Sequence, residues 1–415
     1  MPFDTVILVD AGAVTIAETV GAVRRARQTV VFGDPVTQTP SPFRIAVDPD
    51  HRALQVDEET LDALHADSAL AKLSTLLPTL SLTRSYRAGG EDLAELVNRR
   101  FYGGRIESLP WAGSFLGHGS IALDYVSEGK AVPDPESGAV ESVDAEVDRV
   151  VRHVIEHART RPTESLMVIT ASAKHAVRVE QAVLAAAQGH KDLTEFVIGD
   201  RPEPFIVATL EQSVAQSRDR VVFSIGYGRT PHGRVLRDFG PLGKPGGERL
   251  LAVAMTRARR SMVIVTCFQP SDIEAERMGH GTVALAEILA EVRARTTAEY
   301  VPDDSDPLLV DLARRLEMRG IPVALGHRGK LGLVAAHGGV CVTIETDASL
   351  VKGSLRESLR LRPEVLRRLG WHYVRVHAFQ LFSDPDRVAN TVAQVLGVDR
   401  GATQEISIPP VPARR

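Results

Sequence analysis

Three arginines, Arg257, Arg259 and Arg260, follow the apolar helical pattern of Leu250, Leu251, Val253 and Ala254 and precede the continuous apolar run Met262-Val263-Ile264-Val265. A guanidinium keeps its charge and presents a rigid fork matched to phosphate oxygens. Where a helix hands over to a buried strand, such a cluster either meets an anion or caps the helix C-terminus in solvent, and spacing alone leaves both open. Asp10 ends the apolar run from Thr5 to Val9. A carboxylate there can hold Mg2+ beside a phosphate or simply cap the next helix. Farther on, Glu345 and Asp347 end another apolar run. Such a pair is the kind of donor set that binds a metal and activates water, or two inherited acids in an inactive fold.

The residues around these positions carry more than their spacing. LLAVAMTRARRSMVIV resembles motif VI of superfamily 1 helicases, and the resemblance implies that Arg257 reaches the γ-phosphate of ATP, as an arginine finger does. Leu251 stands where that family has Asn. VILVDAGAVTIAETVGAVRRARQTVVFGDPVTQTP resembles motifs II and III, which makes Asp10 the Mg2+-binding Asp and Asp34 the motif III Asp. Ala11 occupies the place of the acid that orients the attacking water, and Ala can neither accept a proton nor hold water. Thr37 and Gln38 straddle the motif III Gln. The stretch Leu80–Gly104 resembles motif IV of the Upf-like members, with Arg87 as the second phosphate-facing arginine. Thr209, Asp219 and Ser224 fall in register with motif V, while Val214, Ala215 and Ser217 replace its Gln, Gly and Glu. Asp34, Gln38 and Arg259 are the remaining residues expected toward the nucleotide, and Thr209 toward nucleic acid.

A GxxxxGK[ST] loop, whose amides and lysine cradle phosphates, should precede motif II. Only nine residues precede Asp10, and Gly326-His-Arg-Gly329-Lys330 has the wrong spacing. The expectation is the C-terminal portion of a superfamily 1 helicase, or its descendant, unable to hydrolyse ATP alone. It would use ATP and Mg2+ only with a complementing P-loop half. The segment VCVTIETDASLVKGSLRESLRLRPEVLRRLGWHYVRVHAFQLFSDP resembles the very-short-patch-repair-like endonuclease domain of some bacterial helicases. That resemblance implies Mg2+ at Glu345 and Asp347, although no acid stands near Gly332 where the first is expected, and it makes a metal-dependent DNA endonuclease the alternative function. Arg356, Arg360 and Arg362 on the basic helix would meet a phosphate backbone or form a solvated face. A non-catalytic nucleic-acid-binding module is a third reading. DNA is expected over RNA.

Bulk numbers bound these readings. With 415 residues, 44% apolar and 25% charged, the chain has room for two or three ordinary globular domains. A net charge of −4 excludes a uniformly basic nucleic-acid glove, so any such surface is local. Cys267 and Cys341 lie in apolar runs and read as reduced core residues of a cytoplasmic protein. No run of about 18 apolar residues suggests a membrane span.

Strands alternating with helices predict an α/β fold, with a RecA-like parallel sheet covered on both faces and a small restriction-endonuclease-like α/β domain. The expected divisions are residues 1–79, a remnant of the first RecA-like domain; 80–270, the second; 271–307, a helix and linker; 308–400, the endonuclease-like domain; and 401–415, a tail. Within 80–270 the pattern predicts a short strand from Leu80, a helix over 91–99, a loop over 128–141, a helix over 142–160, and strands over 166–170, 205–209 and 220–225.

Overall fold

The computed structural model describes residues 2–40, 58–84, 91–135, 137–188, 190–294, 306–347 and 354–398. The chain divides into two compact units, one of residues 1–108 and 120–296, the other of residues 109–119 and 297–415.

The larger unit begins with a parallel pair, β1 (Phe3–Leu8) and β2 (Ala26–Val31), in register from Thr5 opposite Gln28 to Leu8 opposite Val31. The helix Ile16–Val23 makes the crossover, and the Glu18 carboxylate accepts the Thr15 amide at its start (2.6 Å). A short helix, Ala69–Ser74, packs beneath, so Ala11, Ala69 and Leu73 form a small core with Leu8, Ile16 and Val31.

Five strands follow: β3 (Ile121–Tyr125), β4 (Leu166–Thr170), β5 (Ile206–Thr209), β6 (Arg218–Ser224) and β7 (Ala258–Thr266). They form one sheet in the order β3-β7-β6-β4-β5, and every pairing is parallel. Parallel strands need crossovers, and helices cover both faces. Met167 and Ile169 of β4 pack with Leu96, Leu251 and Leu289 on one side. Leu166 and Val168 pack with Val150, Val179 and Phe196 on the other. This two-sided burial is why β4 reads as an unbroken apolar run.

One local expectation is corrected and two features are added. Among the described residues the strand expected from Leu80 is reduced to one bridge, Arg84 with Glu107, and Leu80 and Leu82 lie exposed. The edge strand β3, with its interrupted Ala-Leu-Asp pattern, was not foreseen. Within the Gly-rich stretch 226–247, Phe239 and Leu242 are buried in the core.

The smaller unit has a four-stranded sheet of β8 (Val323–His327), β9 (Leu331–His337), β10 (Val340–Glu345) and β11 (His372–Arg375), in the order β11-β10-β9-β8. The β8/β9 and β9/β10 pairs are antiparallel and β10/β11 is parallel. Helices Pro307–Glu317 and Pro385–Val395 cover one face. The other face takes the helix Arg362–Arg368 and the distant segment 109–119. There the Trp371 indole donates to the Pro110 carbonyl (2.7 Å), and the Ala112 amide donates to the Leu369 carbonyl (2.9 Å). Among the described residues no helix is long and apolar enough to cross a membrane.

Candidate functional site

Asp10 and Asp34 sit just past the carboxyl ends of the adjacent parallel strands β1 and β2, so the βαβ topology alone brings them together. Asp10 takes a left-handed backbone (φ 55°), a conformation Asp tolerates better than most residues. The Gln38 side-chain amide donates to the Asp10 carboxylate (2.6 Å), and its carbonyl accepts the Asp34 amide (2.9 Å). Gly12 and Gly33 make room for this. A Cβ on Gly12 would lie 2.8 Å from the Gln38 Cβ, and one on Gly33 would lie 2.9 Å from Leu70. Ala11 is fully buried between them and offers no acceptor to a water.

Both Asp34 oxygens are engaged. Oδ1 accepts the Val36 amide (2.9 Å), and Oδ2 accepts the Thr37 hydroxyl (2.6 Å) and the Tyr102 phenol (2.6 Å). Tyr102 follows the helix Glu91–Phe101, so this bond joins the β1–β2 element to the five-stranded element. Burial first, then the Asp34 carboxylate, pushes the Tyr102 phenol above its ordinary range, while the nearby Arg257 guanidinium opposes the shift. Sequence reasoning singled out Asp34 and Arg257 but gave Tyr102 no role, although it lies within the Leu80–Gly104 stretch that resembles motif IV.

Arg257 sits where the helix Gly247–Met255 hands over to β7. Its Nε donates to the Val253 carbonyl (2.9 Å), Nη1 to the Gln216 carbonyl (3.2 Å) and Nη2 to the Thr256 hydroxyl (2.9 Å). These acceptors orient the fork. The next two arginines meet carboxylates. Arg259 is held by the Glu203 carboxylate, Asp219 Oδ1 (3.2 Å) and the Ser165 hydroxyl (3.0 Å). Arg260 pairs with Glu164. Glu203 is pulled down to about 2, first by its bonds from Arg259 and despite some desolvation. Thr209 ends β5 in a local turn, its hydroxyl accepting the Gln212 amide (3.3 Å). Arg87 lies outside the described residues.

In the smaller unit, Glu345 is nearly buried and meets Arg362 Nε (2.7 Å) and the Tyr373 phenol (3.2 Å). Arg362 also donates to the Lys330 carbonyl (2.6 Å). Asp347 accepts the Ala378 amide (3.3 Å) and pairs with His377 Nδ1 (2.8 Å). Gly332 stands on the neighbouring strand, where a Cβ would lie 3.0 Å from Leu309. Arg356 and Arg360 lie in the wide helical turn before Arg362, and Arg360 approaches Glu364 (3.9 Å). Among the described residues no group of three or more His, Cys, Asp or Glu side chains is placed to hold a metal.

No protein-family model matches the chain. Two curated relatives do: an uncharacterized ATP-dependent helicase of Mycoplasma pneumoniae, 24% identical over 294 residues and 65% of this chain, and one of Mycoplasma genitalium, 23% identical over 325 residues and 72% of this chain. The chain spans about a quarter of the length of each, 24% and 26%. Among solved structures, the C-terminal domain of a possible DNA helicase from Lactobacillus plantarum is 16% identical and covers 44% of this chain and 87% of its own, with a TM-score of 0.25. The HK97 bacteriophage large terminase is 11% identical and covers 67% and 69%, with a TM-score of 0.26. The chain is thus similar in sequence to two ATP-dependent helicases over 65% and 72% of its length, and its larger unit has a mixed α/β architecture with a parallel five-stranded sheet.

Proposed function

We propose that this chain supplies the arginine-bearing side of a nucleotide site in a superfamily 1-type helicase or translocase, acting on nucleic acid, DNA before RNA. The observation that carries the reading is the grouping of Asp10, Gln38, Asp34, Tyr102 and Arg257 in one unit, joined by the Tyr102–Asp34 bond. The residues present do not by themselves fit MgATP. The Asp34 oxygens are already occupied, Ala11 replaces an acid, and the sequence holds no GxxxxGK[ST] loop. The phosphate cradle is therefore assigned to a P-loop-bearing segment outside these residues, with Asp10 toward its Mg2+ and Arg257 toward phosphate. Arg259 is given a structural role, because its charge is already met by Glu203 and Asp219.

For nucleic acid, the test is the affinity of the pure chain for a labelled single strand across salt concentration. Binding that weakens linearly with log salt supports the reading, and no binding at low salt removes it.

A second reading, a metal-dependent endonuclease in the smaller unit, is favoured by the Glu345 and Asp347 carboxylates at the end of β10. Against it, Arg362 occupies Glu345 and His377 occupies Asp347. DNA cleavage with Mg2+ or Mn2+ that is lost in Asp347→Ala would establish it. Equal or absent cleavage would remove it.

A further inference from the structure

At the carboxyl ends of β6 and β7, the opposite end of β7 from Arg257, lies a buried polar chain that the proposed function does not use. Glu146, in the first turn of the helix Asp144–Thr160, is fully buried. Its Oε1 accepts the Ser224 hydroxyl (2.7 Å) and the Gly226 amide (2.9 Å), and its Oε2 faces the Cys267 thiol (3.3 Å). The Ser224 hydroxyl also meets Nε2 of His175 (2.8 Å), and Nδ1 of the same ring meets the Ser142 hydroxyl (3.0 Å). His175 and Ser224 are fully buried and Ser142 nearly so. These are the residue types of a hydrolytic triad in the wrong order. The serine lies between the acid and the imidazole, where no substrate reaches it.

The connectivity restricts where the protons sit. A hydroxyl donates one hydrogen bond, and a neutral imidazole carries one N–H and one acceptor nitrogen. If Glu146 is ionised, Ser224 donates to it, so His175 donates from Nε2 to Ser224 and accepts from Ser142 at Nδ1. If Glu146 is protonated, every bond reverses. Glu146 donates to Ser224, Ser224 donates to Nε2, and Nδ1–H donates to Ser142. We propose that Ser142, His175, Ser224 and Glu146 form one proton-ordered chain with two directions, in which a proton arriving at Ser142 is stored on Glu146 and switches His175 from its Nε2–H to its Nδ1–H form. The balance is one proton throughout. Ser142 takes a proton from solvent and passes its own to Nδ1, the Nε2 proton moves to Ser224, and the Ser224 proton moves to Glu146.

Two further observations fit such a device. Ser142 is held at φ 54°, a strained conformation for a non-glycine residue, because its amide donates to the Gly226 carbonyl (2.8 Å) and Arg178 grips its carbonyl. Arg178 also pairs with the exposed Asp144, so the Ser142 end is the one nearest water. Burial pushes Glu146 up to about 7 and holds His175 down at about 3, which leaves the ring neutral in both states. The other titratable or charged groups facing the chain are Cys267 beside Glu146, Arg178 beside His175, and Arg229 and Glu128, which act on Cys267.

The test is a two-bond proton–nitrogen NMR spectrum of the full chain labelled at histidine nitrogens, with His175 assigned by its loss in His175→Gln. The proposal expects the Nε2–H form at pH 8.5 and the Nδ1–H form at pH 5.5, with a midpoint near 7. In Glu146→Gln, whose amide oxygen must stay on the Gly226 N–H and so accepts from Ser224 at every pH, only the Nε2–H form is expected. In Ser224→Ala, which deletes one hydroxyl, the swap near pH 7 disappears. One tautomer at both pH values in the wild type, a swap that persists in either variant, or a doubly protonated ring with a midpoint near 6.5 would overturn the proposal.

Discussion

The Tyr102 phenol donates to the Asp34 carboxylate at 2.6 Å, and that bond ties the turn after the helix Glu91–Phe101 to the loop after β2. The Thr37 hydroxyl shares the same carboxylate oxygen. Hydrogen bonds to a charged acceptor contribute more than neutral ones. Tyr102→Phe keeps the ring and removes the bond, and should destabilise the larger unit by about 1–2 kcal/mol. A lowered urea midpoint at unchanged slope checks this. An unchanged midpoint would mean that the bond contributes nothing net.

Stability should depend on pH through Glu146 and His175 in opposite senses. Glu146 is raised from 4.5 to about 7, so its contribution is complete below about 4.5 and is lost as pH rises through 7. His175 is lowered from 6.5 to about 3, so its contribution is present above 6.5 and is lost as pH falls toward 3. Urea midpoints measured from pH 5 to 9 should fall between about pH 6.5 and 7 and then level off for the wild type, whereas Glu146→Gln should rise toward pH 6.5 and show no fall beyond it.

The smaller unit is not an excisable C-terminal block. Leu109, Ala112, Trp111 and Phe115 pack with Leu366, Leu369 and Trp371 on one face of its sheet, and the Pro110 carbonyl takes the Trp371 indole. A chain of residues 297–415 alone should lose on the order of 3 kcal/mol from this uncovered surface and orphaned indole. Adding a peptide of residues 109–119 should raise its melting temperature. Equal stability with and without the peptide would show that the segment is dispensable.

What could be read from the sequence follows from how local each signal is. The run Leu166–Thr170 announced a strand because both its faces are buried. Asp10 and Asp34 could be paired because each ends one of two strands separated by a short helical pattern. By contrast, Ile121–Tyr125 pairs with β7 far along the chain, and its interrupted pattern hid it. Glu146 looks like an ordinary acid in the first turn of an amphipathic helix, and only the fold brings it to Ser224, Gly226 and Cys267. The attachment of 109–119 to the smaller unit depends on contacts more than 200 residues apart, such as Trp371 with Pro110, which no local pattern encodes.

The central claim is that this chain carries the Arg257 side of a nucleotide site and needs a separate phosphate cradle. Phosphate release from ATP by the pure chain, with and without single-stranded DNA, tests it most directly. The account predicts no release above background for the wild type, and none for Arg257→Ala. DNA-stimulated release by the wild type that Arg257→Ala abolishes would contradict it.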